Sequence, residues 1–265
     1  MFRIGATSYI IPADILPNVE YLAPQVDDVE LVLFETDEYG SNLPDAALRN
    51  RLAALATAHA LTYTVHLPLD LRLGDEGDPG HISLVKAERV IAATRELAPF
   101  AYTVHLDGRP LMAAGPGGPD ARFLAGWQAN AIGALETVVG WLDDPALLCI
   151  ENVEAWSPDA FAPVLDATPV SRTVDVGHLW LRGEDPLPRL AAWIDRARVV
   201  HLHGIGERDH KSLMLVPPAR LDPVVAVLAQ RFTGVVTLEV FNQEDFLSSK
   251  AALAASLARV GGIGG

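Results

Sequence analysis

Eight short β-forming runs recur along the chain, each carrying at or beside its end a residue that ionises or hydrogen-bonds, and a longer helix-type segment follows each. The runs are residues 3–8, 29–35, 63–67, 102–106, 147–151, 172–175, 199–203 and 235–239. Between and after them the spacing predicts helices over residues 13–23, 45–60, 81–97, 122–142, 159–165, 186–197, 223–231 and 245–258. Several of these begin beside Asp, Ser or Pro, as helix N-termini do. Strictly alternating β and α segments build a parallel sheet with helical crossovers. Eight such units predict a single (β/α)₈ barrel domain across 265 residues, within the usual span of that architecture. In a barrel every strand's C-terminal end faces one mouth, so the polar residues that close the runs gather there.

Half the residues are hydrophobic and 20% are charged, enough apolar surface for a sizeable core. The formal net charge is −14, which argues against a partner held mainly by phosphate contacts, so duplex DNA is disfavoured. A local metal cluster would still draw in one phosphate, because bound cations dominate their surroundings. The single cysteine, Cys149, excludes an internal disulfide framework, and Met1 leads into Ile4-Gly5-Ala6 without an apolar leader. The expected location is the cytoplasm, with no membrane span and the oligomeric state open. Two Gly/Pro-rich stretches, 74–80 and 108–119, follow the third and fourth strands, where βα loops rim the mouth.

Six of the eight histidines lie at a strand end or in the loop just after one. His66 and His105 close two strands of nearly matching pattern, Thr-Val-His-Leu-Pro and Thr-Val-His-Leu-Asp. Equivalent placement on neighbouring strands favours shared metal ligation over two unrelated core histidines. Glu151 and Glu239 each follow four apolar residues, and a carboxylate there is costly to bury unless paired, protonated or cation-bound. Glu35 ends the second run similarly, with a cap or hydrogen bond as its alternative. Asp175-Val-Gly-His178 brings an acid and an imidazole within three residues, with Gly177 expected to allow a tight turn. His201 and His203 share one strand face by period-two geometry. His201 is expected as a ligand and His203 as a supporting or substrate contact, with Asp209 and His210 in the next loop. Cys149 reads as a small strand residue. Trp156 and Trp180 either floor a flat ligand or pack the barrel top, and Arg72 and Arg109 receive no role.

As a set, these strand-end residues resemble the xylose-isomerase-like barrel superfamily, which includes the endonuclease IV (AP endonuclease family 2) enzymes and many sugar epimerases. The resemblance covers nearly the whole chain. Relative to endonuclease IV it implies a three-zinc cluster held by His66, His105, Glu151, Asp175, His178, His201 and Glu239. The later Asp-x-His pair of that family is replaced here by adjacent Asp209 and His210. The epimerases imply a smaller set around one divalent metal, matched by Glu151, Asp175, His201 and Glu239. A narrower likeness, in Gly5-Ala-Thr-Ser-Tyr-Ile-Ile-Pro-Ala-Asp-Ile-Leu-Pro-Asn-Val19 and Val29-Glu-Leu-Val-Leu-Phe-Glu35, is to the cobamide-remodelling phosphodiesterases. It implies cleavage of the nucleotide loop of a corrinoid to cobinamide phosphate and α-ribazole.

The expected function is therefore metal-dependent phosphodiester hydrolysis of a small substrate, a corrinoid. Glu151 and Glu239 are the expected catalytic residues, and Thr7, Tyr9, Glu35, His203, Asp209 and His210 the substrate-side residues. One to three divalent ions are expected, zinc by the histidine content, with manganese admitted by the carboxylates. A sugar isomerase or epimerase on one divalent metal is the competing expectation, and a corrinoid- or metal-binding barrel without turnover a third.

Overall fold

The computed structural model describes residues 1–36, 40–74, 80–112 and 119–261. Eight parallel strands close into a barrel: β1 (Arg3–Thr7), β2 (Asp28–Val32), β3 (Thr62–His66), β4 (Ala101–His105), β5 (Leu148–Glu151), β6 (Ser171–Asp175), β7 (Ala197–Leu202) and β8 (Val235–Leu238). Each pairs with its neighbours in sequence, and β1 closes the ring against β8 through Gly5 opposite Thr237. The outer ring comprises α1 (Ile15–Leu22), α2 (Ala46–His59), α3 (Ile82–Thr94), α4 (Ala121–Val139), α5 (Ala162–Ala167), α6 (Pro186–Trp193), α7 (Pro218–Arg231) and α8 (Gln243–Gly261). Among the described residues no helix is long and apolar enough to cross a membrane.

Local chemistry sets the helix starts. The side chains of Asp45, Asp120 and Asp185 accept the backbone N–H of Leu48, Phe123 and Leu187, caps that stabilise a helix by about 1 kcal/mol each. The α7 helix begins five residues before the expected start at Pro223. Pro217 and Pro218 set its first turn, and Pro223 is carried inside the helix. The second strand is shorter than expected. It ends at Val32, and Glu35 lies beyond the barrel in a small antiparallel pairing of Glu35–Thr36 with Gly40–Ser41. Asn42 makes this turn by taking up backbone groups of Val32 and Phe34. The two Gly/Pro-rich stretches lie largely outside the described residues, apart from a short helix at Arg109–Met112.

Two different interiors result from the period-two alternation of the strands. Outward-facing Val29, Leu31, Val65, Val104, Ile150, Val174, Val200, Leu202, Val236 and Leu238 are fully buried against the helices, and this shell is the main hydrophobic core. The lumen is floored by small residues, Ala101, Cys149 and Val199. Above them it turns polar, with Thr103 and Thr173 hydrogen-bonded at 2.8 Å and Asp28 accepting from Thr62 and Thr64 at 2.6 and 2.7 Å. Burial pushes the Asp28 carboxyl up to about 7 despite those hydrogen bonds.

Candidate metal centre

At the C-terminal mouth the strand ends bring together Glu151 from β5, Asp175 from β6 and His201 from β7. His66 ends β3, His105 ends β4, and Glu239 follows β8. Glu151 is the hub, and its two oxygens face different partners. Oε2 lies 3.2 Å from His66 Nε2 and 3.0 Å from His105 Nε2. Oε1 lies 3.1 Å from His201 Nδ1. Glu239 Oε2 reaches the same His201 nitrogen at 3.2 Å, so residues from the ends of the fifth and eighth strands meet across the mouth.

A second shared carboxylate, Asp175, extends the cluster. Its Oδ2 stands 3.2 Å from His178 Nδ1 and 3.3 Å from His203 Nε2. The His203 ring lies 4.5 Å from that of His210, centroid to centroid, and His210 Nε2 lies 3.2 Å from Glu239 Oε2. His210 adopts a positive φ of 52°, a conformation uncommon outside glycine and one that here turns its ring into the cluster. Among the described residues, three donor groups include the shared carboxylates: His66, His105 and Glu151; Glu151, Asp175, His201 and Glu239; and Asp175, His178, His203 and His210. A fourth group, Glu154, His178 and Asp209, has both its carboxylates partly exposed.

Two local devices build the second half of the site. Asp175 caps the short helix Val176–Leu181 by accepting the His178 N–H at 2.6 Å, which holds the imidazole beside its own carboxylate. Asn152 locks the two strand ends together, donating to Asp175 O at 2.8 Å and accepting the Asp175 N–H at 3.0 Å. The tight turn expected at Gly177 does not form. Gly177 lies within the helix, and a Cβ there would collide with the His203 ring, so the glycine serves close approach.

The donor chemistry fits cations. His66 Nδ1 lies 2.7 Å from the carbonyl oxygen of Leu67, which can only accept, so Nδ1 carries the proton. Nε2 then turns its lone pair on a carboxylate oxygen, an arrangement that needs a proton or a cation between the two atoms. His178 repeats the pattern, with Nδ1 donating to Asn152 O at 3.1 Å. A ring N–H bonded to a backbone carbonyl is the usual outer support of a metal-bound histidine. Glu239 Oε2 is buried and faces nitrogens of both His201 and His210 at 3.2 Å without forming a well-directed hydrogen bond to either, a position that a cation would satisfy.

The electrostatics agree. Burial opposes charge on Glu151, Glu239, His66, His178, His201, His203 and His210, yet the proximity of opposite charges outweighs it. His201 and its neighbours hold the Glu151 and Glu239 carboxyls well below the usual range. Burial would lower the His66 imidazole, but Glu151 carries it to about 9, and Glu239 does the same for His210. Without cations, protons on the histidines balance the carboxylates.

The seven expected ligands all stand in these groups, together with His203 and His210. Asp209 lies at the edge, its Oδ2 4.0 Å from His178 Nε2. The remaining three are engaged elsewhere. Thr7 donates to Val240 O at 2.6 Å, tying β1 to the chain beyond β8. Tyr9 packs on Phe34 and accepts from Asn42, and Glu35 pairs with Arg89 at 2.8 Å. Trp180 is buried in the helical shell, while Trp156 packs over Gly108. Arg109 forks onto Asp107. Sequence reading missed Glu30, Asn152 and Glu154. Glu30 was detectable, because Asp28-Val-Glu-Leu-Val alternates charged and apolar residues and so points two carboxylates into the lumen.

Fold and cluster define a class: a (β/α)₈ barrel with carboxylates and imidazoles gathered at its C-terminal mouth. No protein-family model and no curated protein matches the chain. Solved structures do. The chain is similar to a D-tagatose 3-epimerase-like protein, with a TM-score of 0.73 and 16% identity over 98% of each chain. It is similar to endonuclease IV from Thermus thermophilus, with a TM-score of 0.68 and 20% identity over 97% of this chain and 99% of that one. An AP endonuclease, family 2, from Brucella melitensis aligns with a TM-score of 0.68 and 13% identity over 98% and 99% of the two chains.

Proposed function

We propose that this protein is an enzyme that hydrolyses a phosphodiester in a small substrate at a cluster of divalent cations. The observation that carries the reading is Glu151, whose two oxygens face two separate donor groups, as a bridging carboxylate does. His66 and His105 would hold one ion with Glu151, and Asp175, His201 and Glu239 a second with the same carboxylate. His178, His203 and His210 provide for a third through Asp175. Bound cations would hold the phosphate, lower the pKa of a water and stabilise the leaving oxygen. The histidine content favours zinc, and the carboxylates admit manganese. His105, His210, Asp209 and Glu154 are partly exposed and face incoming substrate, while Glu151, Asp175 and His201 are shut off from bulk water.

The proposed substrate is the nucleotide loop of a cobamide. It is supported by the N-terminal likeness to the cobamide-remodelling phosphodiesterases and by the net charge of −14, which suits a small diester better than duplex DNA. A second reading, a sugar epimerase, is favoured by the self-sufficient set of Glu151, Asp175, His201 and Glu239. It is also favoured by fold neighbours described as a D-tagatose 3-epimerase-like protein and an L-ribulose 3-epimerase. In that reading Glu151 and Glu239 exchange a substrate proton.

The test is a parallel assay of zinc- and manganese-loaded protein on a cobamide, a generic phosphodiester, abasic-site DNA and a ketose in deuterated water. Diester cleavage that is lost on chelation and falls at least about 100-fold in Glu151→Gln supports the proposal. Deuterium uptake into the ketose without diester cleavage would select the epimerase instead.

A further inference from the structure

Beneath the donor groups, the lumen carboxylate of Glu30 belongs to none of them. Glu30 rises from β2 inside the lumen, fully buried, and its Oε2 lies 2.9 Å from His201 Nε2. The contact crosses the barrel interior, because β1 and β8 separate β2 from β7 in the ring. The other oxygen of Glu30, Oε1, is buried without a hydrogen-bond partner, so the His201 ring is the neighbour that compensates this carboxylate.

His201 is thus held at both ring nitrogens. Nδ1 faces Glu151 Oε1 at 3.1 Å, Glu239 Oε2 at 3.2 Å and Asp175 Oδ2 at 3.9 Å. Nε2 faces Glu30. A neutral imidazole carries one N–H, and a cation can take only the nitrogen that keeps its lone pair. His66 and His178 direct their N–H groups to backbone carbonyls. His201 lies on the strand proper, where its acceptor is a side chain.

We infer that Glu30 is a positioning residue: it accepts the Nε2–H of His201, fixes that tautomer and turns Nδ1 toward the cation shared by Glu151, Asp175 and Glu239. The inference rests on the metal reading above and assigns to it a residue that touches neither ion nor substrate. A carboxylate in this position also raises the basicity of the ligating nitrogen, so its removal weakens metal binding rather than only loosening the ring.

The test compares the wild type with Glu30→Gln, which keeps an acceptor without the charge, and Glu30→Leu, which keeps neither. Zinc affinity is measured by competition with a chromophoric chelator, and the visible spectrum of the cobalt(II)-loaded protein reports the ligand field. Long-range proton–nitrogen correlation spectra of zinc-loaded wild type read the His201 tautomer without any mutation. Expected are an Nε2-protonated His201, a roughly 10- to 100-fold loss of affinity for one ion in Glu30→Leu, a smaller loss in Glu30→Gln, and a shifted cobalt spectrum in both. A purely structural Glu30 would lower Tm and leave affinity and spectrum unmoved, which overturns the inference, as does a zinc-loaded His201 protonated at Nδ1. If the wild type itself takes up no divalent ion, the metal reading falls, and this inference with it.

Discussion

Replacing Gly177 with alanine separates the fold from the third donor group. Gly177 lies in the helix Val176–Leu181, where alanine is the better helix former by about 1 kcal/mol. The new methyl, however, would be driven against Cε1 and both ring nitrogens of His203. That ring is fully buried, lies 5.4 Å from the His178 ring and 4.5 Å from the His210 ring, and has no free volume to retreat into. A Cβ 2.2 Å from Cε1 reaches ordinary contact only at 3.4–4 Å, a shift of roughly 1.5 Å, about three times the ~0.5 Å within which a ligand set must be held. Overpacking of this kind costs about 1–3 kcal/mol. Set against the gain in helix propensity, it leaves the variant at most about 2 kcal/mol less stable, a fall in Tm of no more than about 8 °C. The ion held with His203 should be lost or weakened about 10- to 100-fold, while the groups around Glu151 keep theirs. Metal content after dialysis, thermal melting by circular dichroism and turnover on the same samples provide the assay. A folded Gly177→Ala protein with full wild-type metal content and activity would refute the role given to this glycine.

Other outcomes follow from the buried charges. Asp28→Asn should stabilise the protein above neutrality. The folded pKa is raised to about 7 from an ordinary value of 3.8, so wild-type stability from this group is fully present below pH ~4 and is lost as pH rises through ~7. The variant's advantage should therefore grow over that window to about 4 kcal/mol, and equal slopes of unfolding free energy against pH in the two proteins would contradict it. Metal loading at pH 7 should release protons, because His66 and His210 each titrate near 9 in the cation-free protein. Affinity should rise with pH until about 9, and calorimetry in buffers of different ionisation enthalpy counts the protons; a count of zero at pH 7 would contradict His66 and His210 being protonated in the cation-free protein. His105→Ala should cut diester cleavage at least about tenfold while leaving the melt almost unchanged, since this ring stands partly exposed at the mouth.

Most of the strand ends were legible because burial and ionisation conflict so strongly that a histidine or glutamate closing an apolar run must have a partner. His66, His105, Glu151, Asp175, His201 and Glu239 were found this way. Glu30 escaped the same reasoning because it sits inside its run, where only the two-residue alternation of Asp28, Glu30 and Val32 betrays a lumen-facing charge. The second strand was drawn too long because Leu33 and Phe34 continue its apolar character into the turn that carries Glu35. Gly177 was correctly singled out for the wrong reason. A glycine required for its backbone angles and one required for its missing side chain look alike until the neighbour, His203, is known. His203 and His210 were set aside as substrate contacts because pairing with Asp175 and Glu239 depends on how the loop after β7 turns back.

The polar lumen has a consequence for how such a chain can change. Because the main apolar core lies between the sheet and its helices, the inward-facing residues are released from most of the work of holding the barrel closed. Scaffold and chemistry are separately editable: a lumen side chain can be exchanged without dismantling the layer that surrounds it. Barrels that share only 13–20% of their residues with this one therefore superpose over nearly their whole length while bearing the names of an epimerase-like protein and of endonucleases.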